Sequence, residues 1–223
     1  MTTIRVVLAD DQPLVRAGLT TLLSAEPDID VVGAAADGLE VVRLARALRP
    51  DVVCMDIRMP GQDGIAATRQ LCGPDVDDPI PVLVLTTFDV DEYVFGALEA
   101  GASGFLLKDS DPSAIAAAVR SVAAGNATLD DALTKQVIAE LVDRRRTQPV
   151  SARRAVEQLT PREMDILLLL AQGMSNEEIA RTLVLEVSTV KTHVTRITSK
   201  LGVRSRLQAV VWAYQNRVVD VAG

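Results

Sequence analysis

Histidine is almost missing from this chain: His193 is the only one in 223 residues. A lone imidazole has no partner for metal ligation, so His193 reads as a residue that packs or bonds within its own helical segment. The two cysteines, Cys54 and Cys72, lie in apolar segments and form neither a disulfide framework nor a zinc motif. They read as buried reduced thiols, which points to a cytoplasmic protein. No run of about 18 apolar residues occurs, so no transmembrane helix is expected. The N-terminus enters a strand directly, without a basic-then-apolar leader. Internal repeats and low-complexity tracts are also missing. What remains is ample apolar content (48%) with an ordinary charged share (24%), enough for a real core.

The net charge of -7 conceals an asymmetry. Residues 1–125 carry 9 basic and 19 acidic side chains, whereas residues 126–223 carry 14 and 11. From Ser188 to Arg217 there are six basic residues and no acidic one. An acidic half joined to a half with a local basic face suggests a regulatory domain on a polyanion binder.

Strand and helix patterns alternate through the first 125 residues. Apolar strands at 4–9, 30–34, 52–55, 82–85 and 104–107 are separated by helical stripes such as Leu14, Val15, Leu19, Leu22 and Leu23. Nearly uniform apolar strands indicate a parallel sheet covered on both faces. Five βα units with right-handed crossovers give a doubly wound, five-stranded α/β fold. Helices are expected at about 64–71, 90–100 and 112–124. Residues 126–154 differ: an amphipathic helix over Asp131–Arg146 leads into a linker around 147–158. From residue 155 the pattern is all-helical, with helices at about 161–172, 176–183, 187–201 and 205–216. The expected domains are therefore 1–125, a connecting segment 126–154, and 155–223.

Four strands run into side chains that belong to one kind of chemistry. Asp10 and Asp11 follow the first, Asp56 the third, Thr86 the fourth and Lys108 the fifth. The carboxyl edge of a parallel sheet is where α/β proteins place their sites. Three clustered carboxylates repel one another, and a hard cation relieves this; Mg²⁺ suits a site with few protein oxygens. Asp10 and Asp11 are the expected ligands. Asp56, alone on its strand and followed by a turn, is the candidate nucleophile for an aspartyl phosphate. Lys108 offsets charge on the transferring oxygens, and Thr86 can donate its hydroxyl to one of them.

Asp10-Asp11, the run from Met55 through Gly64, Thr86 and the run from Gly101 through Lys108 resemble the receiver domain of bacterial two-component response regulators, over about residues 4–122. The resemblance implies a flavodoxin-like receiver phosphorylated on Asp56 by a sensor histidine kinase. It implies Asp10, Asp11, Asp56 and the Arg58 carbonyl as metal ligands, with Thr86 and Phe105 as a switch pair. The family commonly has proline after the lysine; Asp109 stands here, so no cis peptide bond is assumed. The scarcity of histidine argues against this chain being the kinase.

In the tail, a short helix, a turn and a helix opening at Ser188-Thr189 suggest a helix-turn-helix. Helical spacing turns Val190, Val194, Ile197 and Leu201 inward. It leaves Lys191, Thr192, Thr195, Arg196 and Lys200 on polar faces, suited to phosphates and base edges in a major groove. Leu159 to Glu163, Gly173 to Ala180, Thr189 to Val194 and Lys200 to Val203 resemble the LuxR-type four-helix DNA-binding domain. With the receiver, the whole chain resembles a NarL/FixJ-type response regulator. The resemblance implies double-stranded DNA with an inverted repeat as ligand. It also implies a homodimer formed on phosphorylation through the last helix, at Val211, Trp212 and Tyr214. RNA polymerase is a further partner of such a regulator. Val187 departs from the polar residue usual at its position. The expected activity is phosphoryl acceptance with slow self-dephosphorylation, without turnover of an external substrate. The competing readings are an aspartyl-phosphate hydrolase, which usually carries an acid two residues after the nucleophile where Arg58 stands, and a protein-binding adaptor.

Overall fold

Ile4–Ala9 (β1) is apolar apart from Arg5, and every residue from Val6 to Ala9 is buried. In the computed structural model, which describes residues 3–73, 76–86, 96–126, 128–129, 158–203, 205–216 and 218–219, β1 lies inside a parallel sheet. It pairs with Ile29–Ala35 (β2) on one side and Val52–Asp56 (β3) on the other. Val82–Thr86 (β4) and Gly104–Leu107 (β5) follow. The order β2-β1-β3-β4-β5 is the doubly wound arrangement expected for five βα units. A sixth strand, the two-residue Thr128–Leu129 (β6), adds to the β5 edge in parallel register. It was not expected, because two residues carry no readable period.

The central strands β3, β4 and β5 are buried on both faces because helices cover both. Val6, Leu8, Cys54, Leu83, Leu85 and Leu106 pack under Pro13–Ser24 (α1) and Pro112–Ala123 (α4). Alternation sends Val7, Val53, Met55, Val84 and Phe105 to the opposite face. There Gly38–Leu48 (α2) and Gly64–Cys72 (α3) supply buried Val41, Ala45, Ala67 and Leu71. Residues 96–99 are helical; the rest of the helix expected over 90–100 lies outside the described residues. Cys54 and Cys72 are both buried free thiols, and burial pushes each pKa up to about 12.

Helix starts are set by side-chain caps. Asp37 accepts from Glu40 N at 2.8 Å, Asp63 from Ala66 N at 2.7 Å and Asp111 from Ser113 N at 2.9 Å. Asp63 matters most for the site, because it fixes where the loop after Asp56 becomes α3.

Residues 1–133 and 134–223 form two compact units. The division falls inside the segment read as helix and linker. The expected helix over Asp131–Arg146 and linker residues 147–157 lie outside the described residues. The second unit packs Pro161–Ala171 (α5), Asn176–Leu183 (α6), Val187–Leu201 (α7) and Arg206–Gln215 (α8) around Ile166, Leu170, Ile179, Val190, Ile197 and Ala213. These helices match the expected ones to within a residue at most ends. Among the described residues no helix is long and apolar enough to cross a membrane.

Candidate phosphoacceptor site and DNA-reading helix

Parallel strands ending together bring Asp10, Asp11, Asp56 and Lys108 to one edge. Asp10 lies one residue past β1, Asp56 closes β3 and Lys108 lies one residue past β5. Carboxylate oxygens of Asp10, Asp11 and Asp56 lie within 4.8 Å of one another. Lys108 Nζ stands 2.7 Å from Asp10 Oδ2 and 2.8 Å from Asp56 Oδ2. Asp10 and Asp56 are buried, whereas Asp11 reaches solvent. Backbone bonds hold the strand ends: Asp10 N donates to Ala35 O at 3.1 Å and Lys108 N to Thr86 O at 2.8 Å.

The charges are unbalanced. Burial raises the Asp56 pKa above its ordinary range, against the lowering pull of Lys108. Burial also pulls Lys108 down, but its contacts with Asp10 and Asp56 outweigh this and hold it above its usual value. The lysine is therefore cationic, and three carboxylates share one cation. Asp10 Oδ2 is buried and accepts no aligned hydrogen bond, although the ammonium lies close enough for an ion pair. Hard oxygen donors and excess negative charge both fit a divalent cation such as Mg²⁺. The 4.8 Å spread is only slightly wider than the ~4 Å between opposite oxygens around an octahedral Mg²⁺.

The loop after Asp56 is braced from two directions. Gly64 N donates to Ile57 O at 2.8 Å, and Gly38 N donates to Gln62 O at 3.1 Å. Arg58 sits exposed in this loop, two residues beyond Asp56. Thr86 closes β4, buried; Phe105 on β5 is fully buried and pairs in register with Val84. No cis peptide bond occurs among the described residues, in agreement with Asp109 after Lys108.

In the second unit, Val190, Ile197 and Leu201 of α7 are buried as expected. Ser188, Lys191, Thr192, Thr195 and Arg196 form an exposed stripe at spacings of three and four, with Thr189 half-buried beside it. The hydroxyls of Thr192 and Thr195 donate to the Ser188 and Lys191 carbonyls, leaving their lone pairs outward. The turn before α7 is tight: Val184 adopts φ 55°, and Leu185 N returns to Ala180 O at 2.8 Å. Glu186 is the N-cap residue of α7 but makes no side-chain cap bond.

Three of the expected site residues also have partners inside their own unit. Lys200 points into its own domain, with Nζ 2.6 Å from Glu163 Oε2. Tyr214 donates its hydroxyl to Ala171 O at 2.8 Å, and Trp212 packs against the helical core. A helical wheel shows that these residues leave the helix but not which neighbour they meet. Val211, Trp212 and Tyr214 are all half-buried. His193 is half-buried, and its Nδ1 has no hydrogen-bond partner.

Residues outside the expected sites prove structural. Buried Arg206 donates to Asn176 Oδ1 at 2.8 Å and to the Met174 carbonyl, and burial lowers its pKa to about 10. Thr160 and Ser175 form capping boxes with Glu163 and Glu178; both were readable as Thr-x-x-Glu and Ser-x-x-Glu. Glu163 joins its capping box to Lys200. Burial pushes its carboxyl up, but Lys200 and Thr160 outweigh this and bring it from 4.5 to about 2. A depressed carboxyl stabilises the fold fully above its unfolded pKa. That stabilisation is lost as pH falls from about 4.5 toward 2. Glu163→Gln should destabilise the helical unit by about 2 kcal/mol at pH 7, through the lost cap and ion pair. The difference from the parent should shrink below pH 4, as urea titrations across that range would show. A constant difference would reject the ion-pair account.

The comparisons agree with this geometry. Residues 6–120 match the response regulator receiver domain, and residues 157–213 match the LuxR family of bacterial regulatory proteins. The chain is 45% identical to the transcriptional regulatory protein LiaR of Bacillus subtilis, over 97% of this chain and all of that one. It is 41% identical to the nitrate/nitrite response regulator NarL of Escherichia coli, over 96% of each. The crystal structure of the response regulator ChrA, from a heme-sensing two-component system, matches with a TM-score of 0.54 at 40% identity, covering 98% of this chain and all of that one. An acidic strand edge on one unit and an exposed polar helix on the other are thus the two halves of a family design: this chain belongs to the two-component response regulators that join a receiver to a LuxR-type DNA-binding domain.

Proposed function

We propose that a sensor histidine kinase phosphorylates Asp56, and that the aspartyl phosphate drives homodimerisation and binding to an inverted-repeat operator. One observation carries the reading: a buried carboxylate on β3 lies 2.8 Å from Lys108 and within 4.8 Å of two further carboxylates. An Asp56 oxygen attacks phosphorus, the phosphorus–nitrogen bond of a phosphohistidine breaks, and the imidazole leaves. Lys108 meets the growing negative charge on the phosphoryl oxygens, and Thr86 offers a hydroxyl to one of them. Asp10, Asp11, Asp56 and the Arg58 carbonyl would hold Mg²⁺, which supplies further charge neutralisation. Phosphate at Asp56 draws in Thr86, with Phe105 as its partner in the switch, and biases a two-state equilibrium. The chain accepts a phosphoryl group rather than turning over a substrate, consistent with Arg58 in place of a second acid. RNA polymerase is its partner at the promoter. Two buried, unpaired cysteines suit the cytoplasm.

The output lies on α7. Lys191 and Arg196 are exposed cations on the stripe with Ser188, Thr189, Thr192 and Thr195. Lys191→Ala should weaken operator binding by about 1–3 kcal/mol if the ammonium contacts a base. Titrations at fixed salt with beryllofluoride-treated and untreated protein would measure this together with dimerisation. Unchanged affinity on substitution rejects the Lys191 contact. No gain in dimer or DNA binding on treatment rejects the coupling to Asp56.

A further inference from the structure

We propose that Arg16 is a positioning residue for the phosphoacceptor site, acting through the peptide that joins Asp10 to Asp11. The inference rests on reading that edge as a cation-assisted site, and it concerns a residue on α1 that reaches the site only through the backbone.

The Asp10 carbonyl presents a local problem. Asp10 is 1% exposed and lies one residue beyond the end of β1, whose ladder with β3 closes at Ala9 and Met55. Its N–H is committed to Ala35 O, but its carbonyl has passed the last strand partner. A buried carbonyl without a donor costs about as much as a lost hydrogen bond. Arg16 Nη1 supplies the donor from the second turn of α1. The bond is charge-assisted, and so stronger than a neutral one.

That carbonyl belongs to the peptide plane between the two acidic residues. Rotating the plane moves the Asp10 oxygen and the Asp11 Cα together. Asp10 is held at four points: N by Ala35 O, Oδ1 by Gln12 N at 2.9 Å, Oδ2 by Lys108 Nζ at 2.7 Å, and O by Arg16. Among the described residues, Arg16 is the side chain that bonds the carbonyl of that plane. Asp11 itself reaches solvent, so its direction depends on the backbone beneath it.

The choice of a cation is informative. Arg16 makes no ion pair with a carboxylate among the described residues; its side chain bonds the Asp10 carbonyl alone. It adds positive charge beside three carboxylates without occupying any of their oxygens. An arginine bridging Asp11 would instead compete with a metal ion. A donor on the backbone of a ligand residue orients that ligand without competing for it, which is the role of outer-shell partners at metal sites.

The test compares wild type, Arg16→Met and Arg16→Lys by calorimetric Mg²⁺ titration, with urea unfolding in metal-free buffer and labelling by acetyl phosphate. Arg16→Met should weaken Mg²⁺ binding about 10–100-fold, the usual cost of losing an outer-shell partner. Labelling at subsaturating Mg²⁺ should fall in step and recover at saturating Mg²⁺. Arg16→Lys keeps one donor and should restore part of the affinity. Equal Mg²⁺ affinities in folded wild type and Arg16→Met overturn the proposal, and a loss of stability alone marks Arg16 as purely structural. If Arg16→Met does not fold, Arg16→Lys against Arg16→Gln decides: affinity must follow the charged donor, and equal affinities overturn the proposal. Absence of saturable Mg²⁺ binding by the wild type overturns the reading of the site as well.

Discussion

Asp56→Asn should bring labelling by acetyl phosphate from near one equivalent to background, while raising the urea midpoint of the metal-free protein at pH 7. The first effect follows from chemistry, because an amide oxygen is too poor a nucleophile to form the acyl phosphate. The second follows from burial. Asp56 is held above its usual pKa of 3.8, so the folded state binds that proton more tightly than the unfolded chain. Its contribution is complete below 3.8 and is lost as pH rises through the raised value, so at neutral pH the buried carboxyl costs stability. Asparagine keeps the shape and removes the charge, and Lys108 keeps Asp10 as partner. The stabilising difference should therefore shrink as pH falls from 7 toward 4. Added Mg²⁺ should reverse the ranking, because it stabilises the protein that binds it more tightly. A variant less stable than its parent without metal would show that the Asp56–Lys108 attraction outweighs desolvation.

Gly64→Ala should be the most damaging single methyl group in the receiver. A Cβ at Gly64 would lie 1.9 Å from the Asp56 carbonyl oxygen, and 2.9 Å from both the Asp56 carbonyl carbon and the Ile57 Cα. All three are backbone atoms, so no side chain can swing aside. Relief must come from moving α3 away from β3 or shifting the acceptor itself. Overpacking in a core costs about 1–3 kcal/mol where side chains can adjust. Here about 3 kcal/mol or more is expected, together with loss of labelling. Gly61→Ala is the internal control: Gly61 has φ 74° but nothing near its missing Cβ, so only backbone strain of about 1 kcal/mol applies. Equal urea midpoints for the two variants would refute the close-approach argument.

The receiver edge was legible because its grammar is linear. Each apolar run ends on a polar residue, and parallel pairing carries those ends to one side, so Asp10, Asp11, Asp56, Thr86 and Lys108 could be grouped before any contact was known. The helix limits of the second unit were legible for a similar reason, with Pro161, Ser175, Ser205 and Gly202 marking starts and stops. What stayed hidden depends on partners distant in sequence. Lys200 meets Glu163 from 37 residues away, and Tyr214 meets Ala171 from 43. Neither pairing leaves a trace in helical periodicity. Arg16 was hidden because its partner is a backbone carbonyl, which any residue could present. The outward face of α7 was legible because helical spacing alone sets which residues leave the core.

The two cysteines give the receiver an internal clock. Both thiols sit in the first unit, on β3 and α3, and the helical unit has none. With pKa values pushed to about 12, neither exposes thiolate while the sheet is closed. An alkylating reagent that outpaces reclosing then consumes them at the rate at which that unit opens. Reaction at Cys54 times the parting of the central strands, and reaction at Cys72 times the release of the end of α3. The opening of one half of a two-part regulator is thus recorded in its own covalent chemistry, with no probe added and no signal from the DNA-reading half.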